Sequence, residues 1–198
     1  MRNQFIRTLT SPAVRAEQAR SYGQSREPAA GPVHQRLGAE ETDFIGARDS
    51  FYLATIGHDG WPYIQHRGGP KGFLGVLNDS QLAFGDYTGN RQLLSAGNIT
   101  VDQRVSLFLM DYPARERLKI IGHAEVLPPA EAGELLAQLV VPPRTVVERV
   151  MRITVVGFDW NCPKYITPRF TDDEVNAVTA AQRARIAELE SELARRNA

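Results

Sequence analysis

Two glycine-rich turns that carry basic side chains hold the residue types most able to do chemistry in this 198-residue chain. The first turn contains Arg67 and Lys71, and the second contains Asn90 and Arg91 directly before apolar residues at helical spacing. Guanidinium and ammonium groups beside the free backbone N–H groups of a helix start are the donors that bind a phosphate. The sequence therefore predicts one anion site shared by the two turns.

The same arginines also have an ordinary explanation. Arg67 and Arg91 could form surface ion pairs with Asp86, Glu125 or other carboxylates, and such pairs contribute little to stability. Because glycines accompany both arginines and a helix start adds oriented N–H donors, the sequence favours the phosphate site for these two residues. For Lys71 the two explanations are equally good.

Composition limits the partners of such a site. The 23 basic and 23 acidic residues cancel, so no overall field attracts nucleic acid or an anionic membrane, and anion binding must be local. No apolar run approaches the roughly 20 residues of a membrane-spanning helix, and the N-terminal segment lacks the apolar core of a signal peptide. One cysteine excludes an intrachain disulfide, and the four scattered histidines show no zinc-site spacing. We expect a cytoplasmic protein without a metal.

The elements that must position the turns are mainly strands. Short segments rich in β-branched and aromatic residues alternate with Gly, Asn and Asp turns, and a single helix interrupts them. This pattern predicts a small antiparallel barrel of about six strands rather than a parallel α/β sheet. The expected strand segments are 51–56, 61–67, 72–77, 81–85, 104–111, 118–126 and 150–158.

Helices are expected on either side of these strands. Residues 1–37 predict a polar arm, helical at most over 13–20, and residues 38–170 predict the barrel domain with helices at 40–48, 89–97 and 128–140. A capping box of Thr171 and Glu174 opens a charged helix in residues 171–198. The apolar row of that last helix is interrupted by two polar residues, which predicts only weak coiled-coil pairing. The row consists of Val175, Ile186, Leu189 and Leu193, and the interruptions are Thr179 and Gln182.

The order of these strands and turns resembles the split-barrel flavoproteins of the pyridoxamine 5'-phosphate oxidase family. The resemblance spans about residues 41–170 and rests on five segments in the family's order, and the closing segment 158–163 resembles a separate branch of that family. It implies a mainly β fold with flanking helices, a six-stranded antiparallel split barrel, and FMN held between the two subunits of a homodimer. The five segments are 54–62, 65–70, 88–91, 104–108 and 121–126.

The resemblance also implies roles for individual residues. Arg67, Asn90 and Arg91 would hold the FMN phosphate, with Lys71 one residue from the family's usual basic position. Gln92 stands where many members have a lysine, so that contact would be weakened or lost.

Further positions would contact the flavin ring. Backbone groups of the strand end, at Gln65, His66 and Gly68, would line the ring edge, and Trp160 and Asn161 of the partner subunit would approach it. Residues at two of these positions also fit plainer roles: His66 as a wall residue of the barrel and Trp160 as a packing aromatic.

The resemblance defines the activity less closely than it defines the cofactor. The resemblance implies an FMN-dependent oxidoreductase acting on a small organic substrate, but the chain has no counterpart of the C-terminal Arg/His motif that grips pyridoxamine phosphate in the true oxidases. No catalytic residue is therefore assigned. One alternative is a non-catalytic split barrel that senses flavin, a deazaflavin or haem, with His66 or His123 as the haem ligand. A second is a dimerisation module whose last helix recruits a partner.

Overall fold

Seven antiparallel strands form one sheet in the computed structural model, which describes residues 3–27, 35–89, 91–160 and 163–196. Their order across the sheet is β2-β1-β5-β6-β7-β4-β3, so β2 and β3 are its two margins. The strands are β1 (Ser50–Ile56), β2 (Pro62–Gly68), β3 (Gly75–Asn78), β4 (Gln81–Tyr87), β5 (Arg104–Asp111), β6 (Glu116–Leu127) and β7 (Val147–Trp160).

Alternation of apolar residues along the strands produces the core. Phe51 and Leu53 of β1 are buried while Tyr52 between them is exposed, as the two-residue period of a strand requires. Phe51 lies at the centre of an aromatic group, with ring centroids 5.4 Å from Phe73 and 5.2 Å from Phe84. The mainly β antiparallel split-barrel fold expected from the sequence is confirmed. Its seven strands correspond to the seven segments expected as strands, one more than the six-stranded barrel that the resemblance implies. The four-residue margin strand β3 pairs with β4 alone among the described strands.

Six helices accompany the sheet among the described residues. No helix in these ranges is long and apolar enough to cross a membrane. The helix expected at 40–48 is present as α3, and the capping box of Thr171 and Glu174 opens the last helix as predicted. The helices are α1 (Gln4–Leu9), α2 (Pro12–Tyr22), α3 (Ala39–Gly46), α4 (Leu94–Val101), α5 (Gly133–Leu136) and α6 (Asp172–Arg196).

The helix expected at 89–97 begins later than predicted. It starts at Leu94, and its N-cap Leu93 has a φ of 55°, while Arg91 has a φ of 61°. Both values lie in the left-handed region, which is incompatible with a continuous right-handed helix. Arg91 therefore lies in a turn before α4 rather than in its first turn. Asn90 lies outside the described residues.

The length predicted for the helix at 128–140 is wrong. Only Gly133–Leu136 is α-helical, and the residues on either side form single turns, such as Ala132 N–H donating to the Pro128 carbonyl. Pro129 disfavours the helical conformation at Pro128, and Gly133 weakens the helix that follows. The apolar spacing of this segment instead packs Leu139 and Ala132 against β4 and β7.

The N-terminal arm is more ordered than predicted. It forms two helices, and α1 packs on β7 of its own chain through the buried side chain of Phe5. Asn3 Nδ2 donates to Asp159 Oδ1 at 2.7 Å, and the same carboxylate pairs with Lys119 at 2.8 Å. A Cβ at Gly157 would lie only 2.7 Å from the Phe5 nitrogen, so the close approach of α1 depends on that glycine.

Candidate functional site

A cavity of about 160 Å³ lies where the margin strand β2, the turn before α4 and the β4–β7 pair approach one another. Both arginines singled out from the sequence, Arg67 and Arg91, line it. The end of β2 that carries Arg67 and the turn that carries Arg91 therefore meet at one cavity. Eight further residues with polar side chains line it, among them the predicted site residues Gln65 and Gln92; the other six are Tyr63, Asp86, Tyr87, Ser95, Glu148 and Arg149.

Strand alternation sets which residues of β2 reach this cavity. Tyr63, Gln65 and Arg67 line the cavity and are half-buried, while Ile64 and His66 are exposed. Neighbouring His66 and Arg67 thus point to opposite faces, which the sequence predicted from the two-residue period.

Arg67 takes part in a buried ion cluster. Its guanidinium donates to Asp86 Oδ1, and Arg149 Nη1 donates to Asp86 Oδ2 at 2.8 Å. Arg149 lies directly opposite Asp86 in the β4–β7 register and also binds Glu148 at 2.8 Å. The ion-pair alternative for Arg67 is therefore realised, with Asp86 as its partner. Three guanidinium groups, those of Arg67, Arg91 and Arg149, face two carboxylates and leave one net positive charge in the cavity.

Unpartnered groups in this cluster favour an anionic ligand. Arg67 Nε is buried and has no hydrogen-bond partner among the described residues. Arg91 is exposed, and among the described residues it has no ion-pair partner. A buried N–H without an acceptor is costly, so a ligand that supplies an acceptor there gains binding energy.

The backbone of the second turn has the shape of an anion-binding loop. Arg91 and Leu93 both have positive φ, a conformation that is uncommon and strained for residues other than glycine. Turns that combine left-handed and helical residues direct successive N–H groups into one concavity. Leu93 offers no side-chain cap to α4, so the positive end of that helix is open toward the cavity.

Two side-chain hydrogen bonds fix α4 against the barrel. Ser95 Oγ donates to Gln65 Oε1 at 3.0 Å, and Asn98 Nδ2 donates to Thr55 Oγ1 at 3.0 Å. Ser95 is buried, so the first of these bonds is shielded from water. Together they hold α4 beside β1 and β2, which form part of the barrel next to the cavity.

Tyr87 adds a second unpartnered group. Its hydroxyl is buried and has no hydrogen-bond partner among the described residues, and burial raises the pKa of its phenol. The hydroxyl therefore stays protonated at neutral pH and can donate to an acceptor in the cavity. Tyr87 was missed by sequence reasoning, although it directly precedes the Thr88-Gly89 segment that was noticed.

Arg149 was also missed. No turn or glycine marks it in the sequence, because it lies within the long strand β7. Its place in the cavity follows from the β4–β7 register, which pairs it with Asp86 from 63 residues away. Only the position of Glu148 and Arg149 at the start of a strand that pairs with Tyr87 could have suggested it.

Lys71 and His66 lie elsewhere. Both line a second cavity of about 370 Å³ on the opposite side of β2, together with Tyr52, whose ring centroid is 5.6 Å from that of His66. Within one chain, the structure thus does not bring Lys71 to Arg67 and Arg91. Gly68 ends β2 beside them, where a Cβ would lie 3.2 Å from His66 Cε1.

Trp160 is held by its own chain. Its Nε1–H donates to Glu41 Oε1 at 2.8 Å, and the edge of its ring packs on Phe44 with centroids 4.8 Å apart. These contacts match the packing role that the sequence left open. Asn161 and Cys162 lie outside the described residues.

The donor set fits a phosphate better than a metal or a reacting acyl group. No cluster of three or more His, Cys, Asp or Glu side chains able to hold a metal occurs in the described ranges. A cavity of about 160 Å³ is smaller than the roughly 300–1,000 Å³ typical of organic-ligand pockets, so it accepts a phosphoryl group but not a tricyclic ring. A nucleotide bound here would extend its ring beyond the wall of a single chain.

Comparison with known proteins adds a family to this geometry. The sequence model of the family described as Pyridoxamine 5'-phosphate oxidase matches residues 37–156, more than half of the chain. No curated protein gives a significant match.

Solved structures give partial likenesses. HupZ from Group A Streptococcus is 16% identical, with 68% of this chain and 99% of HupZ covered and a TM-score of 0.47. A Clostridium acetobutylicum protein related to general stress protein 26 is 14% identical, with 69% and 94% covered and a TM-score of 0.46. The FAD binding protein from Mycobacterium smegmatis is 15% identical, with 64% and 96% covered and a TM-score of 0.43.

Proposed function

Because this chain belongs to the pyridoxamine 5'-phosphate oxidase family, we propose that it binds FMN, with the phosphate in the cavity formed by Arg67, Arg91 and Arg149. The family is one of flavin-binding split barrels, and the choice of FMN among flavins is the further step proposed here. The observation that carries it is the convergence of Arg67 and Arg91 on one cavity beside an uncapped helix start. A dianionic phosphate there would meet guanidinium and N–H donors together.

Each part of the cavity has a role in this proposal. Arg91, which has no ion-pair partner among the described residues, binds the phosphate directly, and Arg67 donates from its unpartnered Nε. Asp86 holds the Arg67 and Arg149 guanidinium groups in place without neutralising all of the positive charge. The Tyr87 hydroxyl and the turn from Arg91 to Leu93 supply further donors.

The flavin ring is proposed to lie between two copies of the chain, in a homodimer. The support is the size of the arginine cavity, which has room for the phosphate but not for the ring. Bound FMN would supply hydride and electron transfer at its ring, and the protein residues would orient it and exclude water. As the reaction we propose oxidation or reduction of a small organic substrate.

Ligand binding is tested by titrating the purified chain with FMN and following absorbance near 450 nm and flavin fluorescence. We expect saturable binding by the wild type. Arg91→Ala should weaken it by about 10- to 100-fold, since a charge-assisted hydrogen bond contributes roughly 1.5–3 kcal/mol. Arg144→Ala is the matched control, because Arg144 is also exposed and has the same φ of 61°.

The outcomes separate the parts of the proposal. A folded protein that ignores FMN, or an Arg91→Ala variant that binds as tightly as the wild type, would refute the phosphate site. Oxidation of NAD(P)H by the loaded protein, with an added electron acceptor, would support the oxidoreductase. Tight binding without any turnover would identify a non-catalytic flavin protein instead.

A further inference from the structure

The C-terminal helix α6 is long and buries none of its side chains against the described part of its own chain. Its 25 residues include no buried one, and its large apolar side chains are 43–77% exposed. Helices in proteins obtain most of their stability by packing an apolar face, and isolated helices are marginal in water. The face that carries these side chains therefore lacks the contact that such helices normally have.

The apolar row of α6 follows a seven-residue repeat. One set of positions recurs at Val175, Gln182 and Leu189, and the other recurs at Thr179, Ile186 and Leu193. The steps between successive members alternate between four and three residues, which is the a/d spacing of a coiled coil. Four of the six positions are apolar, and the row extends over nearly the full length of the helix.

We propose that α6 pairs with α6 of a second copy of this chain, parallel and in register, as a two-stranded coiled coil. In this register every core position meets its own copy, so Ile186, Leu189 and Leu193 form three consecutive apolar layers. Gln182 meets Gln182 of the partner subunit, and a polar core position that is satisfied only by itself fixes the register at some cost in stability. The contact is closed and twofold-symmetric, so it produces a dimer rather than a filament.

The charges beside the row complement each other between copies. Arg185 and Glu190 occupy flanking positions five residues apart, the spacing at which side chains of two parallel helices meet. Each Arg185 therefore faces Glu190 of the partner subunit, twice per dimer by symmetry. Arg183, at another flanking position, faces the neutral Val178 of the partner subunit in this register, so no like charge opposes it.

An antiparallel pair is disfavoured by its core. It would form more ion pairs, since Arg183 would meet Glu190 and Arg185 would meet Glu192. It would also place Leu193 against Gln182 at both ends and leave Val175 outside the contact. Exposed ion pairs contribute little compared with a buried leucine or valine, and Arg185 already has Glu188 beside it in its own helix. The apolar layers therefore decide the orientation.

The start of α6 is tied to the barrel, so the pair would form at a defined place. The capping box at Thr171 fixes the first turn, and the Arg169 guanidinium lies 5.1 Å from the ring centroid of Tyr112 at the end of β5. None of these residues lines the cavity with Arg67 and Arg91, but all three line the second cavity with His66 and Lys71. The α6 pair is thus a contact separate from the proposed phosphate site and does not rest on it.

Disulfide trapping in the full-length chain tests this pairing. The native cysteine is first removed as Cys162→Ser, and single cysteines are then introduced as Leu193→Cys in the apolar row or Ser191→Cys on the opposite face. We expect mild oxidation to convert most of the Leu193→Cys protein into a covalent dimer on a non-reducing gel. Ser191→Cys, only two residues away, should remain largely monomeric.

A second pair of variants tests the core itself. Adding Ile186→Asp to the Leu193→Cys chain should abolish cross-linking, whereas Ala184→Asp, on the outer face, should leave it unchanged. Equal cross-linking at positions 191 and 193, or no effect of Ile186→Asp, would overturn the proposal. If a covalent dimer forms only when Gln182→Cys and Leu193→Cys are combined in one chain, the helices are antiparallel. That result would also overturn the proposal. FMN binding is measured on the same proteins, and we expect it to be retained in all of them.

Discussion

Asp86 accepts hydrogen bonds from two guanidinium groups while it is almost entirely shielded from water. Removal of the charge would leave Arg67 and Arg149 buried with less compensation, and breaking a buried ion cluster in this way is strongly destabilising. We predict that Asp86→Asn lowers the free energy of unfolding by about 3–5 kcal/mol, measured by urea denaturation.

Glu148→Gln is the control for this prediction. Glu148 also pairs with Arg149, but its side chain is 28% exposed, so its loss should cost about 1 kcal/mol or less. Similar small losses for both variants would show that the buried cluster does not stabilise the barrel.

Tyr87 permits a test that separates binding from stability. Because its buried hydroxyl has no partner among the described residues, Tyr87→Phe should leave the free energy of unfolding of the ligand-free protein unchanged or slightly raised. If the hydroxyl donates to the ligand, the same variant should weaken FMN binding by about tenfold, since one hydrogen bond is worth roughly 1 kcal/mol. A stability loss with unchanged affinity would assign the hydroxyl to the fold.

Sequence reasoning found those site residues that have glycines beside them in the sequence. Arg67 and Arg91 stand beside glycines, and their convergence on one cavity agrees with that signal. Arg149 carries no such mark, because it enters the site through the pairing of two strands far apart in the chain. The roles of Lys71 and Trp160 in binding flavin stay predictions, since each lies outside this cavity in a single chain.

Local patterns located the strands well and two of the helices poorly. Alternating apolar and polar residues, bounded by turn residues, mark β1 to β7 directly. This pattern can be read from the sequence because every second side chain of a strand is buried. The segment 128–140 has apolar residues at helical spacing, but Pro128 and Pro129 oppose a helix and only α5 forms. Helix α1 was missed, because its packing depends on Gly157, more than 150 residues away.

Docking of α1 can be tested at that glycine. Gly157→Ala would place a Cβ 2.7 Å from the Phe5 nitrogen, a contact that forces α1 away from β7. We predict that limited proteolysis then cleaves the first residues of the variant much faster than those of the wild type, while the barrel stays resistant.

Gly97→Ala is the control for the same change in size. Nothing lies within 4 Å of a Cβ at Gly97, which is inside α4, so the N-terminal cleavage rate should not change. Unaltered cleavage in Gly157→Ala would show that α1 tolerates the extra atom by shifting slightly.

At the scale of the whole molecule, a bound phosphate should stabilise the barrel by mass action. At an FMN concentration 100 times its Kd, we predict a gain of about 2.7 kcal/mol in the free energy of unfolding, seen as a higher Tm. Riboflavin has the same ring without the phosphate, so at the same concentration it should give a much smaller gain. Equal stabilisation by the two would show that the ring, and not the arginine cavity, dominates binding.

The order of the strands has a consequence for how this molecule opens. The sheet is continuous from β2 to β3 through five inner strands, and its margin strand β2 also contacts the inner strand β4 through side chains, with Arg67 of β2 bound to Asp86 of β4. This contact between β2 and β4 consists of a few charged side chains, so it can open while all backbone hydrogen bonds between the strands stay intact. The barrel would then open at this contact alone, and a nucleotide bound beside Arg67 would dissociate only as often as the contact opens.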